Sequence, residues 1–285
     1  MAESLLHCRV DSVAGNSDFS LPVAPFRSAQ KVKQSLLFNQ NFFKDPRLVA
    51  EIVGLANFGP NDVVYEIGPG RGIITRELAK AAGKVVAVEI DKRLFLRLQV
   101  EFAANPQVKI INADWLNYRV PESNYKVFAN IPFNQTADMV RKLLAGQGLT
   151  EAYLVVQKEA AEKFTGTLKS TQWSVSNQPE FEFEIVRHFQ REDFFPRPGV
   201  GAVLLQISRR SKPLIEAKDK SDYNWLVNYG FNRWRANLGK NFKDVFTYNQ
   251  WRRLAGDLKF PIKAFPGDLT FPQWLGIFKF HLTHK

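Results

Sequence analysis

Apolar positions along the chain follow two alternating periods. Short runs rich in β-branched residues recur at "VVYEIG" (63–68), "KVVAVEI" (84–90), "VKIINAD" (108–114), "YKVFAN" (125–130) and "AYLVVQ" (152–157). Their length and composition predict buried strands. Between them lie segments with helical spacing, such as "GIITRELAKAAG" and "DKRLFLRLQVEFAAN". Upstream, the spacing predicts a helix over 46–55, with Asp45 as N-cap and Pro46 in the first turn. Strands alternating with helices predict an α/β fold, a parallel sheet covered on both faces. Two later runs, "FEFEIVRHF" (181–189) and "GAVLLQISR" (201–209), are joined by a Pro-containing loop with no helical pattern. They predict an antiparallel hairpin at the sheet edge.

The ends of the chain have a different texture. Residues 1–30 are rich in Ser, Pro, Ala and Gly and show no sustained period, so a flexible arm is expected. After "RRSKPL" the pattern changes to short helical stretches broken by Gly- and Pro-containing turns. The division predicted is an arm over 1–30, an α/β domain over 31–210 and a small helical domain over 211–285.

Composition narrows the picture. With 45% hydrophobic residues in 285, there is ample material for a core. The single cysteine, Cys8, rules out an internal disulfide and points to a reducing compartment. The four histidines are scattered and lack metal-ligand spacing, so no metal site is expected. No apolar run reaches membrane-spanning length, which predicts a soluble, cytoplasmic protein with no membrane partner; a monomer is expected.

Charge adds a partner class. The net charge is +11, and 209–285 carries 15 Lys and Arg against 6 Asp and Glu, a net of +9. A basic segment of this kind predicts a polyanion-binding surface, with Arg233, Arg235, Lys240 and Lys243 as phosphate contacts. The tail tryptophans Trp225, Trp234, Trp251 and Trp274 have two open roles, stacking on bases or filling a small helical core.

Candidate chemistry begins at "VVYEIGPGRGIIT", a strand, a glycine turn and a helix start. Gly68, Gly70 and Gly72 allow a tight turn and close approach of backbone to a ligand. Glu66 leading into the loop disfavours a pyrophosphate. It suits a ligand with a positive or zwitterionic end, such as the amino acid part of S-adenosylmethionine. Glu89, at the tip of the next strand, is placed to accept two ribose hydroxyls. Asp114, ending the third strand, is placed to accept an adenine amino group. Three acids at successive strand ends fit a cofactor lying across the carboxyl edge of the sheet.

The fourth strand ends in Asn130-Ile131-Pro132-Phe133. An amide, a proline and an aromatic ring suit methyl transfer to an exocyclic amine, whose lone pair is delocalised into its ring. The Asn130 carbonyl and the backbone carbonyl of Ile131 or Pro132 can each accept one N–H and aim the lone pair at the methyl. Pro132 stiffens the turn, and Phe133 offers a face for stacking. Catalysis would then be mostly positioning.

The motifs "QNFF" (40–43), "EIGPGRG" (66–72), "VEID" (88–91), "NAD" (112–114) and "NIPF" (130–133) resemble, in order and spacing, the rRNA adenine N6-dimethyltransferases. The resemblance covers roughly residues 33–285. It implies a Rossmann-like methyltransferase sheet with a small C-terminal helical domain, S-adenosylmethionine as cofactor and rRNA as substrate. Cofactor contacts carried over are Asn41, Phe43, Gly68, Glu89, Asp114 and Asn130, beside the loop residues Glu66 and Gly70. The catalytic clamp carried over is Asn130, Ile131, Pro132 and Phe133. Later stretches, including "DLTFPQWLGIF", look like the branch that methylates 23S rRNA and confers macrolide resistance. The chain departs from the common pattern at Asn39, Phe43, Phe133 and Gly201. Two alternatives stay open at this point, a small-subunit (16S) rRNA dimethylase and a non-catalytic RNA-binding or transcription protein on the same fold.

Overall fold

The computed structural model describes residues 41–233 and 237–284. The arm expected over 1–30, with Trp234 and Arg235, lies outside the described residues. In chain order the elements are β1 (Phe42–Phe43), α1 (Pro46–Leu55), β2 (Val63–Ile67), α2 (Ile73–Ala81), β3 (Lys84–Glu89), α3 (Lys92–Glu101), β4 (Val108–Asn112), β5 (Tyr125–Asn130) and α4 (Thr136–Ala145). They continue as β6 (Leu149–Gln157), α5 (Lys158–Thr165), α6 (Gln172–Asn177), β7 (Phe181–Phe189), β8 (Phe194–Phe195) and β9 (Ala202–Arg209). A helical segment follows, α7 (Lys220–Phe231), α8 (Leu238–Asn241), α9 (Tyr248–Asp257) and α10 (Phe271–Thr283).

Helix starts follow local chemistry. Asp45 accepts the Arg47 N–H at 2.8 Å and Pro46 occupies the first turn of α1, where its missing N–H costs nothing. Asp91 caps α3 in the same way. The main sheet has seven strands in the order β4-β3-β2-β5-β6-β9-β7. The first five are parallel; β9 pairs antiparallel with both β6 and β7. The late hairpin is therefore at the edge, with β7 outermost. Its connection carries a short 3-10 turn and β8, which pairs antiparallel with β1 in a separate two-stranded ribbon.

Chain order reverses between β2 and β5, the topological switch point of the sheet. Register places Ile67 opposite Ala129, so Gly68, just past β2, and Asn130, the last residue of β5, come side by side at the sheet rim.

Alternation along the strands divides the core. Val64, Val85, Phe128 and Val155 face one side, against Val49 and Ile52 of α1 and Leu78 of α2. Tyr65, Val86, Val127 and Leu154 face the other, against Met139 and Leu143 of α4 and Trp115. The helical segment has a third cluster around Tyr223, Phe242, Trp251, Trp274 and Phe278, which also takes in Val175 from α6. Trp251 and Trp274 are buried and their indole N–H groups are bonded to the Ile262 and Pro266 carbonyls, so both fill the core. No helix among the described residues is long and apolar enough to cross a membrane.

Candidate active site

The glycine turn is built from left-handed backbone. Gly68 has φ +67° and Gly70 φ +58°, which L side chains rarely adopt. A Cβ on Gly70 would also meet the Phe42 ring at 2.9 Å. Gly68 donates its N–H to the Val88 carbonyl at 3.0 Å, which ties the turn to β3.

Glu89 organises the turn from below. Its Oε2 accepts the Gly70 N–H at 3.0 Å and its Oε1 accepts the Asp91 N–H at 2.8 Å. Burial raises its pKa, and those two backbone donors oppose the rise. Each oxygen keeps a further lone pair for a ligand hydroxyl. Asp114 is likewise engaged locally, accepting from the Leu116 N–H at 2.9 Å and the Asn117 amide at 2.7 Å.

Glu66 is different. It is fully buried, and neither carboxylate oxygen has a hydrogen-bond partner among the described residues. The nearby Thr75 hydroxyl lies outside normal hydrogen-bond geometry as well. Burial pushes the Glu66 pKa up to about 8; Thr75 pulls the other way, and Glu89 adds to the rise. A buried carboxyl with open valences beside a glycine turn is suited to a cationic donor.

Asn130 shows which way its amide points. Its Nδ2 donates to the Asn41 carbonyl at 2.7 Å, leaving Oδ1 as an acceptor. Ile131 is buried and donates its N–H to the Val155 carbonyl. The Pro132 carbonyl accepts the Gln135 N–H at 2.9 Å, closing the short turn that starts α4. Of the two backbone acceptors left open by sequence, Pro132 thus already accepts one N–H.

Part of the glycine turn and the clamp meet in one cleft, lined by Asn41, Phe42, Phe43, Gly68, Pro69, Ile73, Ile74 and Asn130 through Phe133. Glu66, Gly70, Glu89 and Asp114 stand outside this lining; Gly70 and Glu89 support its glycine turn. The Phe43 ring packs into the core against Phe189 and Phe194, with centroids 5.4 and 4.7 Å away. Phe42 was missed by sequence reasoning. Strand alternation was the available signal, because burying Phe43 turns its neighbour to the opposite face.

The profile of the family described as "Ribosomal RNA adenine dimethylase" matches residues 31–278. The chain belongs to this family. It is an adenine N6-methyltransferase of rRNA by class, and the use of S-adenosylmethionine goes with that class. An rRNA adenine N-6-methyltransferase of Aeromicrobium erythreum is 35% identical, over 71% of this chain and 60% of that relative. One from Bacillus anthracis is 30% identical over 84% of each. Among solved structures, the 23S rRNA methyltransferase ErmE superposes with a TM-score of 0.80 at 29% identity, covering 84% of this chain and 98% of that one.

Two of the expected phosphate contacts of this family member are already engaged. Arg233 pairs with Asp244 at 3.0 Å, and Lys243 lies 3.9 Å from the other oxygen of that carboxylate. Lys240 lies in the last turn of α8, with its N–H bonded to the Asn237 side chain.

Proposed function

We propose that the chain methylates N6 of an adenine in 23S rRNA, using S-adenosylmethionine. The observation that carries this reading is the Asn130 amide. Its nitrogen is committed to Asn41, so its oxygen is the polar group the residue offers in the cleft. An acceptor there suits an exocyclic N–H.

The residues present fit the cofactor. The buried, unpartnered Glu66 carboxyl suits an α-ammonium group, and the left-handed glycine turn lets backbone approach a ligand closely. Glu89 keeps lone pairs for ribose hydroxyls, and Asp114 serves the adenine end. When bound, S-adenosylmethionine supplies an electrophilic methyl on a sulfonium.

The chain's own residues supply position. Asn130 Oδ1 accepts one N–H of the target amine. The second falls to the Ile131 carbonyl, since that of Pro132 already spends one lone pair on the Gln135 N–H. Together they oppose delocalisation of the nitrogen lone pair and fix its direction. Phe133, half-buried at the cleft, stacks the base. The alkylated amine is acidic and loses its proton to solvent, so no side-chain base is required. The basic segment over 211–285 draws the RNA in through Arg233, Arg235, Lys240 and Lys243.

The 23S target is supported by the likeness to ErmE, and with it macrolide resistance in cells that carry the protein. One observation favours a second reading. A small-subunit rRNA methyltransferase A of Moorella thermoacetica is 32% identical over 70% of this chain. Methylation of protein-free 23S and 16S rRNA by the purified protein, with primer extension to locate the base, separates the two. Modification confined to 16S adenines overturns the 23S assignment. Normal cofactor binding without RNA methylation favours a non-catalytic binder.

A further inference from the structure

The helical segment contains a second aromatic opening, apart from the cleft. It is bounded by Trp225, Tyr229, Asp244, Val245, Phe246, His281 and His284. Its composition differs from the core beneath it. Trp225 of α7 is 45% exposed, whereas Trp251 and Trp274 of the same segment are buried with satisfied indole N–H groups. The Trp225 ring lies nearly parallel to His281, 5.7 Å between centroids at 28°, and 5.0 Å from Tyr229.

A cation borders this aromatic face. The Arg233 guanidinium sits 3.9 Å above the centre of the Tyr229 ring, held there by Asp244. Lys243 approaches the same carboxylate. Two cations against one anion leave the rim positive, in a stretch of chain that carries +9 of the total +11. A flat exposed indole backed by further rings, with a positive rim, has the chemistry that holds an unstacked base and its phosphate. A merely apolar partner would have no use for the cations.

We propose that this opening is a second RNA site, which takes one unpaired nucleobase of the substrate on Trp225 while Arg233 and Lys243 face the adjoining phosphate. The inference rests on rRNA being the substrate, as proposed above. It adds that the RNA is gripped at two separate bases, only one of which is methylated. This bipartite grip would make the substrate a structured segment with two splayed nucleotides rather than a single accessible adenine.

The test uses the full chain and protein-free 23S rRNA. Trp225→Ala is expected to raise the RNA Kd and the KM for RNA about tenfold, within the range for loss of one base–aromatic stack. Trp225→Phe is expected to stay within about threefold of wild type, because a ring face is retained. Cofactor affinity by calorimetry should not change in either. Ultraviolet cross-linking of the wild-type complex, followed by peptide mass mapping, is expected to place a nucleotide on Trp225 or Tyr229. This arm stands even if Trp225→Ala fails to fold. A folded Trp225→Ala protein with wild-type RNA affinity, or cross-links absent from α7, overturns the second site while leaving methylation of rRNA by the wild type intact. A wild-type protein that neither binds nor methylates rRNA overturns both readings. Capture of an aromatic or acidic peptide at Trp225 in place of RNA overturns the second site alone.

Discussion

Glu66 and Asn130 show how much the site depends on single polar groups. Folding raises the Glu66 pKa from 4.5 to about 8, so the folded chain holds a proton that the unfolded chain has released. Below pH 4.5 both states are protonated and the residue makes no difference. As pH rises from there to about 8, stability falls, and above that it levels. Glu66→Gln removes this titration. In urea melts, the variant should gain on the wild type as pH rises from 5 to 8, by up to a few kcal/mol. The same change should weaken S-adenosylmethionine binding if the carboxyl receives the ammonium group; calorimetry reads it. Asn130→Ala removes an acceptor from the cleft and leaves the Asn41 carbonyl without its donor. Turnover should fall about 10²–10³-fold, the scale for one preorganised hydrogen bond to a transition state. Single-turnover methylation with both substrates saturating measures that loss apart from binding. A variant with wild-type single-turnover rate would remove Asn130 from the chemistry.

The glycine turn and the strands around it form the next level. Gly70→Ala places a methyl 2.9 Å from the Phe42 ring on backbone at φ +58°. It also disturbs the donor that Glu89 accepts. Destabilisation of about 1–3 kcal/mol is expected, the cost of a strained backbone position, with weaker cofactor binding; denaturant midpoints and calorimetry give the two effects separately. This level was the most legible in the sequence. Runs such as "KVVAVE" and "YKVFAN" reveal themselves because a doubly covered parallel strand must be apolar on both faces, and Asp45-Pro46 marks a helix start with two independent signals. The short helices α5 and α6 were not anticipated, because "KEAAEKFT" and "QWSVSN" span only about two turns or fewer. β1 and β8 were invisible as well: two residues each, they are strands only because they pair with one another across the chain. The clamp residues were legible as a motif. That Asn41 turns the Asn130 amide, and that Gln135 occupies the Pro132 carbonyl, are tertiary facts with no sequence signature.

At the scale of the molecule, charge and the shared helical core decide behaviour. Replacing Arg233, Arg235, Lys240 and Lys243 together with Ala should raise the KM for RNA. It should also flatten the dependence of log Kd on log salt by about 1.5–3, given roughly 0.7 per phosphate for single strands. Titrations across a salt series check both, and an unchanged slope would move the phosphate contacts elsewhere. The helical core has a different reach. It buries Val175 of α6, and the Tyr223 hydroxyl donates to the Val175 carbonyl at 2.7 Å. The Ser170 N–H, just before α6, is bonded to the Gly267 carbonyl. The helical cluster therefore includes residues that precede β7 in the chain. A chain cut after residue 215 should lose these contacts and expose α6, visible as new protease cleavage within 166–180. During synthesis, the ribosome delivers β7 and β9 before Tyr223, and well before Gly267. For that interval α6 is a nascent element without its partners, and a chaperone that reads exposed apolar side chains such as Val175 has a defined time, set by translation up to Gly267, in which to act on it.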